Sequence, residues 1–246
     1  VWIWMGEKAQ ADPGKVFEVV HWDNPQWGRT SGDSMQVACD YRYVTDNLLD
    51  PSHVAWVHQS SFGSAACEDT PVETEMLANG VLVSRWMRDV EVAPFYKPFL
   101  KFSGNCDRKQ HYEVRFPSHA FIRAIFVPAG TGGDDEKLHP DVFLMDSYNF
   151  MTPVDEKTTH YFWFQARNFA PGDEEVSAVF AKSVRSAFLE DKGVLEAVQR
   201  GMDNKLTPNL DLKIDAGPLR FRHRLAAMIA EEAKLPQAAK LPQAAE

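Results

Sequence analysis

Asp46-Asn47-Leu48-Leu49-Asp50-Pro51-Ser52-His53-Val54-Ala55-Trp56-Val57-His58 places two imidazoles five residues apart, with a carboxylate three residues ahead of the first. Neutral imidazole is the commonest protein metal ligand, so a close pair raises the question of a metal. Residues i and i+4 share a helix face, whereas i and i+5 lie ~140° apart on an ideal helix. His53 and His58 therefore converge only where the turn is distorted, and distortions such as π-bulges concentrate at functional sites. Asp50, one turn before His53, is placed to accept that ring's second N–H, the usual way a ligating imidazole is oriented. The same spacing also suits two ordinary helix residues, and the pair alone leaves both readings open.

A second segment bears on the choice. From Glu174 the chain reads as one long helix with apolar residues at Val176, Phe180, Val184, Phe188, Leu195, Val198 and Met202, the stripe of a core-facing helix. Between Phe188 and Leu195 the next inward position is Asp191. A carboxylate on an apolar stripe is costly to bury unless it is paired or binds a metal. The competing reading makes Asp191 the cap of a second helix starting near Gly193. Its neighbour Glu190 falls on the polar side and calls for no role. Two histidines and one carboxylate on one face, with open positions opposite, suit a non-heme Fe(II) oxygenase.

The pattern Asn47-x-x-Asp50-x-x-His53-x4-His58, followed at long range by Glu190-Asp191, resembles the catalytic domain of Rieske non-heme iron oxygenases. Val1–Gly6 looks like the strand that closes a Rieske domain. His58-Gln59-Ser60-Ser61-Phe62-Gly63, Arg85-Trp86-Met87, Asn149–Pro153, His160–Trp163 and Asp215–Arg222 look like the vanillate O-demethylase branch. The resemblance covers nearly the whole chain to about residue 232. It implies that His53, His58 and Asp191 bind mononuclear Fe(II), and that Asp50 hydrogen-bonds a ligand histidine and relays electrons from a neighbouring subunit. Asn47 would stand close to the metal without being a firm ligand.

It also implies a START-like helix-grip fold of the α+β class, an antiparallel sheet wrapped on a long C-terminal helix. The partners implied are a small aromatic substrate, O2, a ferredoxin/flavin reductase that delivers electrons from NAD(P)H, and a homotrimer. The chemistry implied is monooxygenation, with O-demethylation of a methoxyaromatic acid such as vanillate as one form of it. A metal-free START-like domain that binds small hydrophobic molecules is the alternative.

One departure is large. A Rieske 2Fe–2S cluster needs two Cys and two His, which the family supplies as Cys-x-His and Cys-x-x-His. None of Cys39, Cys67 and Cys106 has a histidine two or three residues on. The cluster is expected in a full-length protein and is not ligated by this chain. The expected organisation is therefore 1–35 as the end of a Rieske-domain strand and linker, 36–232 as the iron domain, and 233–246 as a disordered tail. That tail repeats Lys-Leu-Pro-Gln-Ala-Ala, too short an array for a solenoid.

Composition agrees. With 44% hydrophobic and 12% aromatic residues, 246 residues can bury a sizeable core. A net charge of −9 argues against a nucleic-acid surface, which needs a basic patch. Three scattered cysteines suggest a reducing compartment, and no stretch reaches the ~18 apolar residues of a membrane span; the cytoplasm is expected. A structural zinc site is disfavoured because such sites are closed and rich in Cys.

Strands are expected at Trp2–Met5, Gln36–Cys39, Gly80–Val92 (from an Asn-Gly turn), His111–Phe116, His119–Val127, Val142–Met151 and His160–Asn168. The segment Val44–Gln59 should be an irregular helix, 130–136 an exposed acidic loop, and Pro218–Ala233 an amphipathic helix. Asn149, His160 and Arg123 are candidates to face the substrate: His160 from an aromatic strand, where packing or local bonding is the more ordinary role, and Arg123 as a bidentate partner for a carboxylate, where a simple ion pair with Asp or Glu is the more ordinary role.

Overall fold

The computed structural model describes residues 2–4, 8–135, 137–206 and 208–234. Eight antiparallel strands form one sheet: β1 (Gly28–Arg29), β2 (Asp33–Val37), β3 (Glu73–Leu77), β4 (Gly80–Val90), β5 (Cys106–Arg115), β6 (His119–Pro128), β7 (Phe143–Asp155) and β8 (Thr158–Arg167). Strands β3 to β8 follow one another in space as in sequence, and β1 and β2 both pair with the far edge of β8. The helices are α1 (Tyr41–Asn47), α2 (Val54–Val57), α3 (Ala66–Asp69), α4 (Glu174–Asp203) and α5 (Ala216–Glu232).

Helix α4 runs unbroken for 30 residues, capped by the Asp173 carboxylate accepting from the Val176 N–H. Its buried positions are Phe180, Val184, Ala187, Asp191, Leu195 and Gln199, one stripe at helical spacing. The continuity of the helix through Gly193 removes the reading of Asp191 as a cap. Val184, Ala187 and Leu195 join one core with Val81, Val83 and Met87 of β4, Phe126 of β6 and Trp163 of β8. This is the expected helix-grip arrangement. Phe180 is fully buried, with Phe95 and Phe99 at ring-centroid distances of 5.0 and 4.9 Å. Phe180→Ala should cost about 3–5 kcal/mol, the range for deleting a buried aromatic ring, read as a fall in thermal midpoint.

The opposite face of the sheet is also covered. Phe121, Tyr148 and Ala166 pack there under Phe17, Val19 and Trp27 of the N-terminal segment. The segment from Phe17 to Trp27, just ahead of β1, thus supplies a cover for this face of the sheet.

Several local expectations change. Trp2–Trp4 form no strand, and Met5 lies outside the described residues, as does the repeated tail from residue 235. Strand β3 pairs with β4 across the Asn-Gly turn; its sparse apolar pattern had not marked it as a strand. The described part of the expected acidic loop, residues 130–135, is tethered: the Gly132 N–H donates to Asp107 Oδ2 at 2.9 Å, and Asp135 pairs with Lys109; residue 136 lies outside the described residues. The segment 44–59 is two helices with a break, because the residue before a proline is driven away from the α region, here at Asp50-Pro51.

Candidate metal centre

Three features bend the 46–63 segment. The Asp40 carboxylate caps α1 by accepting from the Arg42 N–H at 2.8 Å. After the Asp50-Pro51 break, His53 sits at the N-terminal end of the single turn α2, with its C=O accepting from Trp56 and Val57. His58 then leaves the helix at φ −112° and ψ 34°. Convergence of the two rings comes from this exit rather than from a π-bulge. The chain turns back at Gly63, whose N–H donates to the His58 carbonyl at 2.8 Å. A Cβ there would lie 2.5 Å from the Val54 carbonyl oxygen, so only glycine closes this loop without moving α2.

The result brings His53, His58 and Asp191 together, with ligand atoms all within 4.8 Å of one another. Asp191 Oδ1 lies 3.1 Å from His58 Nε2 and 3.7 Å from His53 Nε2. The ring centroids are 5.3 Å apart with planes at 77°. Neither approach has hydrogen-bond geometry, so Asp191 Oδ1 is buried without a donor. A buried carboxylate oxygen with no partner is costly, and here it faces two imidazole nitrogens.

Each imidazole is oriented through its other nitrogen. His53 Nδ1 makes a short contact with the backbone carbonyl of Asp50; a carbonyl only accepts, so Nδ1 carries the proton and Nε2 presents its lone pair. The expected hydrogen bond from His53 to Asp50 thus meets the Asp50 main chain and not its carboxylate. Its carboxylate instead accepts from the Ser52 N–H at 2.9 Å and from the Ser52 hydroxyl. His58 Nδ1 donates to Glu190 Oε2 at 2.7 Å, so Glu190, which the helical pattern left with no role, orients the second ring. Its i, i−1 relation to Asp191 is the signal that could have found it: on α4 the two carboxylates flank one imidazole. Burial draws His58 toward the neutral form, but the nearby Asp191 carboxylate and the charge and hydrogen bond of Glu190 outweigh it and raise its pKa.

The other candidates divide by face. Asn149 is fully buried on the α4 side, accepting from the Tyr161 hydroxyl at 2.8 Å and donating to the Ser147 carbonyl at 3.1 Å. Burial and the charge of Asp191 both raise the Tyr161 pKa, which sets this pair in the same interior as the cluster. His160 and Arg123 belong to the opposite face of the sheet, in the local packing and the internal ion pair that were the alternatives to facing the substrate. His160 lies on Phe162, 4.2 Å between ring centroids. Arg123 is held bidentately by Asp146 at 2.6 and 2.7 Å, the internal ion pair. Both sit one residue out of phase with the inward positions, and in a strand that puts a side chain on the other side of the sheet.

Asn47 and Asp50 border a surface cleft of about 350 Å³ between α1, α4 and α5, with Val194, Val198, Leu210 and Arg222 among its walls. Arg222 of α5 pairs with Asp46 of α1 across it.

The vanillate O-demethylase oxygenase C-terminal domain family matches residues 37–231. The vanillate O-demethylase oxygenase subunit of Pseudomonas sp. (strain HR199 / DSM 7063) is 33% identical over 249 residues, which cover 97% of this chain and 68% of that subunit. The chain belongs to this family. It is the catalytic domain of a Rieske-type aromatic oxygenase. The family's wider relatives include the toluene-4-sulfonate monooxygenase iron-sulfur subunit of Comamonas testosteroni, 31% identical over 94% of this chain and 68% of that one. Dicamba monooxygenase bound to 3,6-dichlorosalicylic acid shares the fold, at a TM-score of 0.83 and 22% identity, over 94% of this chain and 67% of that chain. Among the described residues no helix is long and apolar enough to cross a membrane.

Proposed function

We propose that His53, His58 and Asp191 hold one Fe(II), and that the domain uses O2 to hydroxylate or O-demethylate a small methoxyaromatic acid of the vanillate type. The observation that carries this reading is the buried, unpartnered Asp191 Oδ1 facing two imidazoles whose other nitrogens are tied back. The donor set of two imidazoles and a carboxylate is that of non-heme Fe(II) oxygenases, and the three buried cysteines, all free, stand outside it. Fe(II) bound there supplies reductive activation of O2 for placing one oxygen atom into a C–H bond.

The chain's own residues do the rest. The Asp50 carbonyl and the Glu190 carboxylate each hold a ring N–H on Nδ1 and so aim both Nε2 atoms inward. The Asn149–Tyr161 pair offers an exchangeable donor and acceptor to a polar substrate substituent, while the aromatic core around it excludes water. A methoxyarene hydroxylated at its methyl is a hemiacetal, which releases formaldehyde and leaves the phenol; the balance is O2, two electrons and two protons in, one water out. The reading carries with it a 2Fe–2S cluster in the full-length protein, a ferredoxin/flavin reductase that draws on NAD(P)H, assembly as a homotrimer, Asp50 at a subunit boundary, and a cytoplasmic location. It is supported by relatives whose names include vanillate and dicamba O-demethylases.

The test is metal content by mass spectrometry on anaerobically purified protein. About one iron per chain is expected in the wild type and none in His53→Ala/His58→Ala. A folded wild type that takes up no iron after incubation with Fe(II) would overturn the reading and leave a metal-free domain that binds small hydrophobic molecules.

A further inference from the structure

Two arginines on adjacent strands point into the core without a carboxylate partner. Arg85 of β4 is 4% exposed and Arg108 of β5 is 1% exposed. A buried cation is costly unless its donors are met, and what meets their Nη donors is the loop that carries the histidines, while Arg108 Nε is buried without a partner. Arg85 Nη2 donates to the carbonyls of Pro51 at 2.9 Å and Cys67 at 2.8 Å, and Nη1 donates to that of Thr70 at 2.7 Å. Its Nε donates to Gln110 Oε1 at 2.7 Å, which locks the plane of the fork. Arg108 Nη2 donates to the Phe62 carbonyl at 3.0 Å, and Nη1 meets Cys67 Sγ at 3.4 Å.

These anchors bracket both histidines. Pro51 follows Asp50, whose carbonyl orients His53, so fixing the Pro51 carbonyl fixes that turn. Phe62 lies between Ser61 and Gly63, whose N–H groups both close on the His58 carbonyl. From Pro51 to Thr70 the helices are α2 and α3, of four residues each, and the loop's internal backbone hydrogen bonds close short turns only, so they do not tie it to the sheet.

We propose that Arg85 is a positioning residue for the metal centre: its guanidinium, with Arg108 beside it, holds the two ends of the His53–His58 loop to the sheet and thereby sets how far both Nε2 atoms stand from Asp191. The planar, rigid fork of arginine makes several such bonds at fixed angles, which the point charge of lysine cannot. The proposal rests on the metal reading above and gives Arg85-Trp86-Met87 a physical role at the site.

The test compares Arg85→Met, Arg85→Lys and Val81→Ala. Val81 is a fully buried residue of the same strand with no contact to the loop's carbonyls through a polar atom, so its truncation serves as the control for general destabilisation. Each protein is checked for fold by circular dichroism, then titrated with Co(II) while the visible spectrum of the bound ion is recorded. Arg85→Met should bind Co(II) about 10–100-fold more weakly, the cost typical of disturbing the partners of metal ligands, with an altered spectrum. Arg85→Lys should fall between it and wild type, and Val81→Ala should lose thermal stability but keep wild-type affinity and spectrum.

Wild-type affinity and spectrum in Arg85→Met would overturn the proposal, as would an equal change in Val81→Ala. Should Arg85→Met fail to fold, Gln110→Leu, which removes the acceptor that locks the fork along with a long 3.3 Å bond to the Tyr112 hydroxyl, should give a smaller loss with the same spectral change; no change there would overturn it. A folded wild type that binds neither Co(II) nor Fe(II) is a different result, which removes the metal reading and this role with it.

Discussion

Asp191→Ala should abolish oxygenase turnover and iron retention while leaving the metal-free domain folded with a thermal midpoint close to that of the wild type. Truncating a packed apolar residue of α4, such as Phe180, has the opposite profile: it opens a cavity and costs stability. Asp191 occupies the same stripe, yet its Oδ1 is buried with no donor. Removing an unsatisfied buried carboxylate relieves a desolvation penalty, and this offsets the loss of its close approach to His58. The iron affinity should fall by more than the ~10–100-fold that outer partners cost, because one of three ligands is gone. Iron content and thermal unfolding of the metal-free proteins check both halves. Retained iron would show that Asp191 is not a ligand, and a collapse in stability as large as that of Phe180→Ala would show that it is held by the fold for its own packing.

Asp50→Asn, made in the full-length protein and assayed with its reductase, should keep iron but lose about 10–100-fold in turnover, the range for changes just beyond the ligands. Iron is expected to stay because His53 is oriented by the Asp50 main-chain carbonyl, which the substitution leaves in place. The side chain's bonds to Ser52 can also be kept by the asparagine oxygen. What changes is the charge. Asp50 is half-buried and borders the surface cleft between α1, α4 and α5, so the residue lies near the outside of the domain as well as at the start of the histidine loop. That is where a carboxylate serving electron delivery from a neighbouring subunit would lie. Wild-type turnover in Asp50→Asn would sink that role; loss of iron would mean that the carboxylate supports the loop after all.

The long-range elements were legible because each obeys one period. The α4 stripe from Val176 to Met202 exposed Asp191 as the residue out of character. The strand alternation and the Asn-Gly turn at Gly80 located most of the meander. The same periodicity could not say which face of a strand is inward. Alternation marks a buried side only when the other side meets water, and here both faces are covered, one by α4 and the other by Phe17, Val19 and Trp27. In β5 the burial runs through five consecutive residues, Cys106 to Gln110. Arg123 and His160 were therefore readable as polar residues in apolar strands but not as residues of the outer face.

By itself, the sequence determined the helix that carries a carboxylate into the core, the two histidines that await it, and the absence of cluster cysteine–histidine pairs in these 246 residues. All three are local patterns of residue type and spacing. Only the tertiary structure decided how the ligands are aimed. Glu190 reaches His58 across 132 positions of sequence, and Arg85 gathers the carbonyls of Pro51, Cys67 and Thr70 from 34, 18 and 15 residues away. Backbone carbonyls are the same in every residue, so no sequence pattern marks which of them a buried guanidinium will find; that depends on where the folded strand brings it.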